Sequence, residues 1–196
     1  DTTPIDDFVI DIGRFSELGK QGVLALMSDS TNAARPGYTP SERIVGETFS
    51  KFFSQAGDSR IIVATFSSNI HRIQQIIDEA VHCGRKVAVS GRSMINVVSV
   101  ASELGYHNVP DNVLVDIDMI KNYPANEMVI VTTGSQGEPM SALHRIAFSE
   151  HRQVEIIPGD MIIISANPIP GNEKLVNKVI NELMKLGAEV VYERMY

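Results

Sequence analysis

The stretch Ile61-Ile-Val-Ala-Thr-Phe-Ser-Ser-Asn-Ile-His-Arg-Ile-Gln-Gln75 constrains the fold of this chain more than any other. Ile61 to Phe66 is a short apolar run, the pattern of a strand covered on both faces in a parallel sheet. Ser67, Ser68 and Asn69 follow, all residues that favour a helix N-cap. Ile70, Ile73, Ile76, Ile77, Ala80 and Val81 then recur at helical spacing and mark one apolar face. The unit is strand, polar turn, helix. In an open α/β sheet, ligands sit beyond the carboxyl ends of the strands, where free helix N–H groups and the helix dipole favour anions. Small hydroxyl residues let a phosphate come close there, and His71 and Arg72 add positive charge. The plainer alternative stays open: Ser67 or Ser68 caps the helix while His71 and Arg72 face water.

The same unit recurs downstream. Arg85 to Ser90 reads as a strand, Gly91-Arg92-Ser93 as a turn, and Met94, Val97, Val98, Ala101 and Leu104 as a helix face closed by Gly105. Val113 to Val115 is a short strand candidate, followed by a helical turn over Ile117 to Lys121. Met128 to Thr133 is a strand, then comes the turn Gly134-Ser-Gln-Gly-Glu-Pro139, then a helix over Ser141 to Ser149. Asp160 to Ser165 is a strand that runs into Ala166-Asn-Pro-Ile-Pro-Gly-Asn172. A long helix with Leu175, Val179, Leu183 and Leu186 ends at Gly187 before a last strand, Glu189 to Tyr192.

Upstream, Phe8 to Ile10 and Gly22 to Met27 read as strands around a short helix over Arg14 to Lys20. The second of these ends at Ser28-Asp29-Ser30-Thr31-Asn32, where Asp29 is either a catalytic or metal-binding carboxylate or a turn residue. Thr39-Pro40-Ser41-Glu42 reads as a capping box for a helix whose face is Ile44, Val45, Thr48, Phe49 and Phe52. Alternating strands and helices imply an α/β fold with a mostly parallel, Rossmann-like sheet, right-handed crossovers and helices on both faces.

Composition narrows the function. The 196 residues, 43% hydrophobic, suffice for a full core. A formal net charge of −7 excludes a sticky, non-specific nucleic-acid binder, because such affinity comes from Lys and Arg on phosphates, but it leaves room for local basic patches. The single cysteine, Cys83, forms no intramolecular disulfide and fits a reducing compartment. No run approaches the roughly 20 apolar residues needed to cross a bilayer, and there is no charged-then-apolar leader. A cytoplasmic location without membrane partners is expected. The chain lacks an initiator Met and opens inside a segment that reads as structured, so it is expected to be a piece of something larger.

Polar or small residues stand at the strand ends Ser28 to Asn32, Ser67 to Asn69, Ser90 to Ser93, Thr132 to Glu138 and Ser165 to Asn172. In a parallel sheet these ends share one edge, so the turns converge on a surface suited to an oxygen-rich ligand, with Arg72 and Arg92 as phosphate clamps. There is no GxGxxG loop, no Walker A loop and no GxSxG elbow. Histidines 71, 82, 107, 144 and 151 lack HxH or HxxxH spacing, which leaves each a surface or supporting role by default.

Taken together, Ser28-Asp-Ser-Thr-Asn32, Gly37-Tyr-Thr-Pro-Ser-Glu-Arg43 with Glu47, Ala64-Thr-Phe-Ser-Ser-Asn-Ile-His-Arg72, Gly91-Arg-Ser-Met94, Thr133-Gly-Ser-Gln-Gly-Glu-Pro-Met140 and Pro168-Ile-Pro-Gly171 resemble bacterial ribonuclease J, of the metallo-β-lactamase/β-CASP nucleases. The resemblance covers nearly the whole chain. It implies that residues 1–32 are a flanking strand and helix of a metallo-β-lactamase domain and residues 33–196 a β-CASP domain. It further implies a zinc-dependent 5′-exo- and endoribonuclease of RNA maturation and decay. Asp29 then matches the carboxylate that bridges two zinc ions, and Glu47 the acidic residue of the first β-CASP motif. Ser67, Ser68, Asn69, His71, Arg72, Arg92, Ser93, Ser135, Gln136, Glu138, Ser165 and Asn167 match loops that face single-stranded RNA, 5′-monophosphorylated in that family.

Such enzymes carry an HxHxDH cluster and further histidines, none of which stand here. The resemblance therefore implies that this piece alone neither assembles the dizinc centre nor cuts RNA, and that the intact protein forms homo- or hetero-oligomers of ribonuclease J subunits. The other readings are an α/β domain binding a nucleotide or sugar phosphate on the same edge, and an interaction scaffold whose polar turns are only caps.

Overall fold

The computed structural model describes residues 3–30, 33–34, 36–37 and 41–192. Its contacts divide the chain into two compact units, residues 1–47 and 48–196.

In the first unit, α1 (Ile12–Gln21) forms where the sequence places a short helix, with Asp11 as N-cap accepting from the Arg14 N–H at 2.9 Å. None of its residues is buried. The strands expected over Phe8 to Ile10 and Gly22 to Met27 do not form, and Leu24 and Met27 are fully exposed. The reason is backbone pairing: a strand needs a neighbour for its N–H and C=O groups, and none stands beside these runs among the described residues of this unit. The loop at Thr3 to Asp7 is tied by Arg43, which donates to Pro4 O at 2.8 Å and pairs with Asp7 at 2.6 Å. Of the expected capping box, Thr39 and Pro40 lie outside the described residues; the helix it announces, α2, runs Arg43–Gln55. Its buried side chains are Phe49 and Phe53, packed edge to face at 6.3 Å, rather than the broader face through Ile44 and Phe52.

The second unit is the repeated strand and helix pattern. In chain order it contains β1 (Ile61–Ala64), α3 (Ile70–His82), β2 (Lys86–Ser90), α4 (Arg92–Glu103) and β3 (Leu114–Val115). Two 3₁₀ turns, Ile117–Asn122 and Ala125–Glu127, lead to β4 (Met128–Thr132), α5 (Ala142–Ala147), β5 (Met161–Ile164), α6 (Glu173–Lys185) and β6 (Glu189–Val191). The sheet order is β3-β2-β4-β1-β5-β6 and every pairing is parallel. The fold class read from the sequence therefore holds. The continuous apolar runs sit in the middle: every residue of β1, β4 and β5 is buried. Each large aliphatic side chain so covered contributes about 1.5–3 kcal/mol.

The route of the chain sets up the edge. β1 and β2 send their helices toward the β3 side, and β4 and β5 send theirs toward the β6 side. Right-handed crossovers then put α3 and α4 on one face and α5 and α6 on the other. The packing agrees: Leu143 and Ile146 of α5 and Val176, Val179, Ile180 and Leu183 of α6 share one core with Ile62, Ile130 and Ile162. α3 buries Ile73, Ile76, Ile77 and Ala80, and α4 buries Met94, Val98 and Ala101. Val81, Leu104 and Leu175, expected on buried faces, are exposed; they stand in the last turn of α3, at the C-cap of α4 and in the first turn of α6. Neighbouring strands whose connections diverge leave a crevice at their carboxyl ends, and this order produces such crevices between β2 and β4 and between β1 and β5.

Candidate nucleic-acid interface

At the β1/β5 crevice, Asn69 caps α3 by accepting from the Arg72 N–H at 3.1 Å. The Arg72 guanidinium donates to the Ser165 carbonyl at 2.6 Å, and the buried Thr65 hydroxyl donates to the same oxygen at 3.4 Å. Ser165 is buried, Ser67 is half-buried, and Ser68 and His71 face solvent. The structure thus brings Asn69, Arg72 and Ser165 together, with Arg72 bridging the ends of β1 and β5.

The turn after β4 is fastened to the turn after β5. Gln136 is 2% exposed; its amide nitrogen donates to the Asn167 carbonyl at 3.0 Å and its oxygen accepts from the Ile169 N–H at 2.7 Å. The Glu138 carboxylate turns back to accept from the Gln136 N–H at 3.2 Å. Ser135 is buried, whereas Glu138 and Asn167 are exposed. Of these residues, Gln136 spends its side chain on the neighbouring loop.

The β2/β4 crevice is an open pocket of about 510 Å³. Gly91, Arg92 and Ser93 line it from the β2 side, and Thr133, Ser141 and Arg145 from the β4 and α5 side, with His151 behind them. Gly91 has φ 103°, and a Cβ there would come within 2.5 Å of Thr133 Oγ1, so a glycine lets the two turns close on each other. As the N-cap of α4, Gly91 offers no side-chain acceptor, so the first N–H groups of that helix keep their capacity for an anion. The Arg92 guanidinium is exposed and makes no hydrogen bond or ion pair among the described residues. No carboxylate lines the pocket among the described residues. The arrangement is rich in donors and positively charged, which suits phosphate oxygens.

His151 also lines this pocket, in a tautomer that its hydrogen bonds define. The backbone N–H groups of Gln153 and Val154 point at its Nδ1 at 3.3 and 3.1 Å, so Nδ1 accepts and the proton stays on Nε2. Nε2–H therefore donates to the buried Ser90 hydroxyl oxygen at 2.9 Å. Burial lowers the His151 pKa below the usual imidazole value, and the charge of Arg145 lowers it further. Thr133, Ser141, Arg145 and His151 are absent from the candidate site residues read from the sequence, where Thr133 stood in the strand-end cluster Thr132 to Glu138, Ser141 began a helix and His151 had a surface or supporting role by default. The signal available for His151 was local: a side-chain acceptor facing N–H groups two and three residues ahead, as in an Asx turn.

Residues 58–183 match the family model described as "Ribonuclease J, beta-CASP domain". The chain belongs to the ribonuclease J family. Over its full length it is 48% identical to ribonuclease J of Thermus thermophilus, covering 34% of that protein. It is 47% identical to ribonuclease J of Helicobacter pylori strain J99 over 98% of this chain and 28% of the relative, and 44% identical to ribonuclease J2 of Bacillus subtilis over 98% and 34%. The chain spans about a third of the length of these ribonuclease J relatives.

The metal implied by the ribonuclease J resemblance can be tested against the residues present. A zinc centre takes three or four protein donors. Among the described residues, no three of His, Cys, Asp and Glu gather in metal-binding geometry, and Asp29 lies in the exposed segment after Met27. These residues do not by themselves fit a zinc site. Asp29 and the exposed Glu47 of α2 belong to the first unit. Among the described residues, no helix is long and apolar enough to cross a membrane.

Proposed function

We propose that this chain is the RNA-binding β-CASP part of a ribonuclease J-type phosphodiester hydrolase that acts on single-stranded RNA. The observation that carries the reading is a donor-rich pocket at a divergence point of the sheet, with no carboxylate in its lining among the described residues, inside the segment that matches the ribonuclease J β-CASP domain. Ser67, Ser68, Asn69, His71 and Arg72 form one side of the RNA path on this reading, and Arg92 and Ser93 contact phosphate. Ser135, Gln136, Glu138, Ser165 and Asn167 shape the neighbouring loops; for Gln136 the role is indirect, because its amide holds the β5–α6 loop. Residues 1–32 are assigned to a flanking segment of the catalytic domain and residues 33–196 to the β-CASP domain. In the intact protein Asp29 contributes to a two-zinc centre whose histidines come from elsewhere, and Glu47 lies near the reacting phosphate. The chain alone is then inactive, and EDTA-sensitive RNA cleavage by it would contradict that. A cytoplasmic enzyme assembling with like subunits and preferring a 5′-monophosphate completes the reading.

The test is binding of a short 5′-monophosphorylated single-stranded RNA across a salt series, repeated with Arg72→Ala and Arg92→Ala. Binding that weakens with salt and falls about three- to tenfold in each variant supports the interface. The pocket volume of about 510 Å³ also suits a single nucleotide. A mononucleotide that binds as tightly as the longer RNA would favour that second reading.

A further inference from the structure

The α5 side of the β2/β4 pocket carries groups for which the sequence offered no role. Arg145 is half-buried in the pocket wall, and one of its nitrogens reaches the Glu150 carbonyl at 3.2 Å. It faces the same space as Arg92, which comes from the opposite side of the sheet divergence. Two guanidinium groups repel one another unless an anion joins them, and no carboxylate stands with them in the pocket lining among the described residues. The elements that bear them are tied through the β2–β4 pairing, which runs to Ser90 and Thr132, and through His151, just after α5, which donates to Ser90, the residue before Gly91 and the start of α4. That hydrogen bond joins the segment after α5 to the residue that leads into α4, and so links the two arginine-bearing elements near the pocket.

We propose that Arg145 and Arg92 share one phosphate group of the RNA in this pocket, and that His151 is the positioning residue that fixes their spacing through Ser90. The proposal rests on the RNA-binding reading above and deepens it. Arg145 supplies the second guanidinium, and Ser93 and the first N–H groups of α4 supply neutral donors. His151 touches no ligand atom in this role.

The experiment measures the affinity of short single-stranded RNA for the whole chain by fluorescence anisotropy over a salt series. It uses RNA with a 5′-phosphate and with a 5′-hydroxyl. Arg92→Gln and Arg145→Gln each weaken binding about three- to tenfold. The slope of log K against log salt drops by about 0.7 in the double variant, one phosphate's worth for a single strand, rather than about 1.4. An effect seen with both RNAs assigns the site to an internal phosphodiester; one confined to the 5′-phosphorylated RNA assigns it to the terminal group. A slope change of about 1.4, or unaltered binding by Arg145→Gln while Arg92→Gln binds weakly, overturns the shared site and leaves the RNA-binding reading standing. Absence of salt-dependent binding by the unaltered chain overturns both.

Two variants separate positioning from folding at His151. Asn keeps an acceptor near Nδ1 for the Gln153 and Val154 N–H groups but cannot reach Ser90; Gln extends an N–H toward Ser90 but loses that acceptor. His151→Gln is therefore expected to bind RNA within about twofold of the unaltered chain while melting at a lower temperature than His151→Asn. His151→Asn is expected to lose affinity despite the higher melting temperature. Affinities that simply follow the melting temperatures of the two variants would reduce His151 to a structural role and overturn this part.

Discussion

The buried His107 and the half-buried His151 place a pH limit on the molecule. His107 is 5% exposed; its Nε2–H donates to the Ile70 carbonyl at 3.1 Å, and its Nδ1 is buried without a partner. Burial lowers its pKa first, with the neighbouring His71 adding to the shift, as burial and Arg145 do for His151. A proton on either Nδ1 would be buried without an acceptor at His107, or would face two N–H donors at His151. Both folded pKa values lie below the unfolded value near 6.5, so the unfolded chain takes up protons first as pH falls. The stability these residues contribute is complete above that value and is lost as pH drops through it. Urea midpoints measured between pH 7.5 and pH 5 should fall steadily below about 6.5; a flat profile would show that the two rings are not held neutral. A second residue-scale prediction concerns Gly137, with φ 69° and a hypothetical Cβ only 2.5 Å from the Leu175 carbonyl carbon of α6. The neighbour is backbone and cannot yield. Gly137→Ala should cost about 2–5 kcal/mol in urea unfolding, the sum of left-handed strain and overpacking. The glycine itself was legible in the Gly134-Ser-Gln-Gly-Glu-Pro139 turn, but its contact with α6 was not, because nothing in a turn's composition says which helix it lands on.

At the scale of elements, the two ends of the sheet do different work. The amino ends of β1 and β5 are locked by Arg60 and Asp160, whose side chains are 8% and 2% exposed and pair at 2.6 and 3.1 Å. Arg60 also donates to the Glu155 carbonyl at 2.5 Å, and Asp160 accepts from the Ile157 N–H at 2.8 Å. Removing one partner strands a buried charge, so Arg60→Met should lower stability by about 3–5 kcal/mol. Because this pair sits at the edge opposite the proposed RNA surface, RNA affinity well below the melting temperature should stay unchanged; a parallel loss of affinity would mean that the ligand edge lies elsewhere. The carboxyl ends carry the caps and donors instead. The strands and helices that form this edge were readable from apolar runs and 3.6-residue spacing, and the N-caps Asn69 and Ser141 form where polar residues precede those helices. The Arg60–Asp160 pair was not readable, since its members are 100 residues apart in sequence.

For the whole molecule, the first unit presents apolar side chains that its own residues do not cover, Phe8, Phe15, Leu24 and Met27 among them. Its hydrogen bonds from Arg43 to Pro4 and Asp7 and from Ser41 to Thr3 are exposed. A shortened chain beginning at Ser41 should therefore keep a cooperative unfolding transition within about 1 kcal/mol of the full chain and lose most of its binding of the hydrophobic dye ANS. Loss of the transition would show that the sheet unit depends on the first segment. What the sequence determined by itself was everything carried by local pattern: the alternation of apolar runs and amphipathic helices, hence a parallel α/β sheet, and the family motifs that stand at its strand ends. Tertiary structure alone decided the strand order, and through it which turns face one another across a divergence. That order depends on which buried faces pack together, a property of pairs of residues distant in the chain. It is what puts Arg92 and Arg145 in one pocket and sets His151 against Ser90. The same physics explains the opposite outcome near the amino terminus, where an apolar run that finds no pairing strand among the described residues stays exposed.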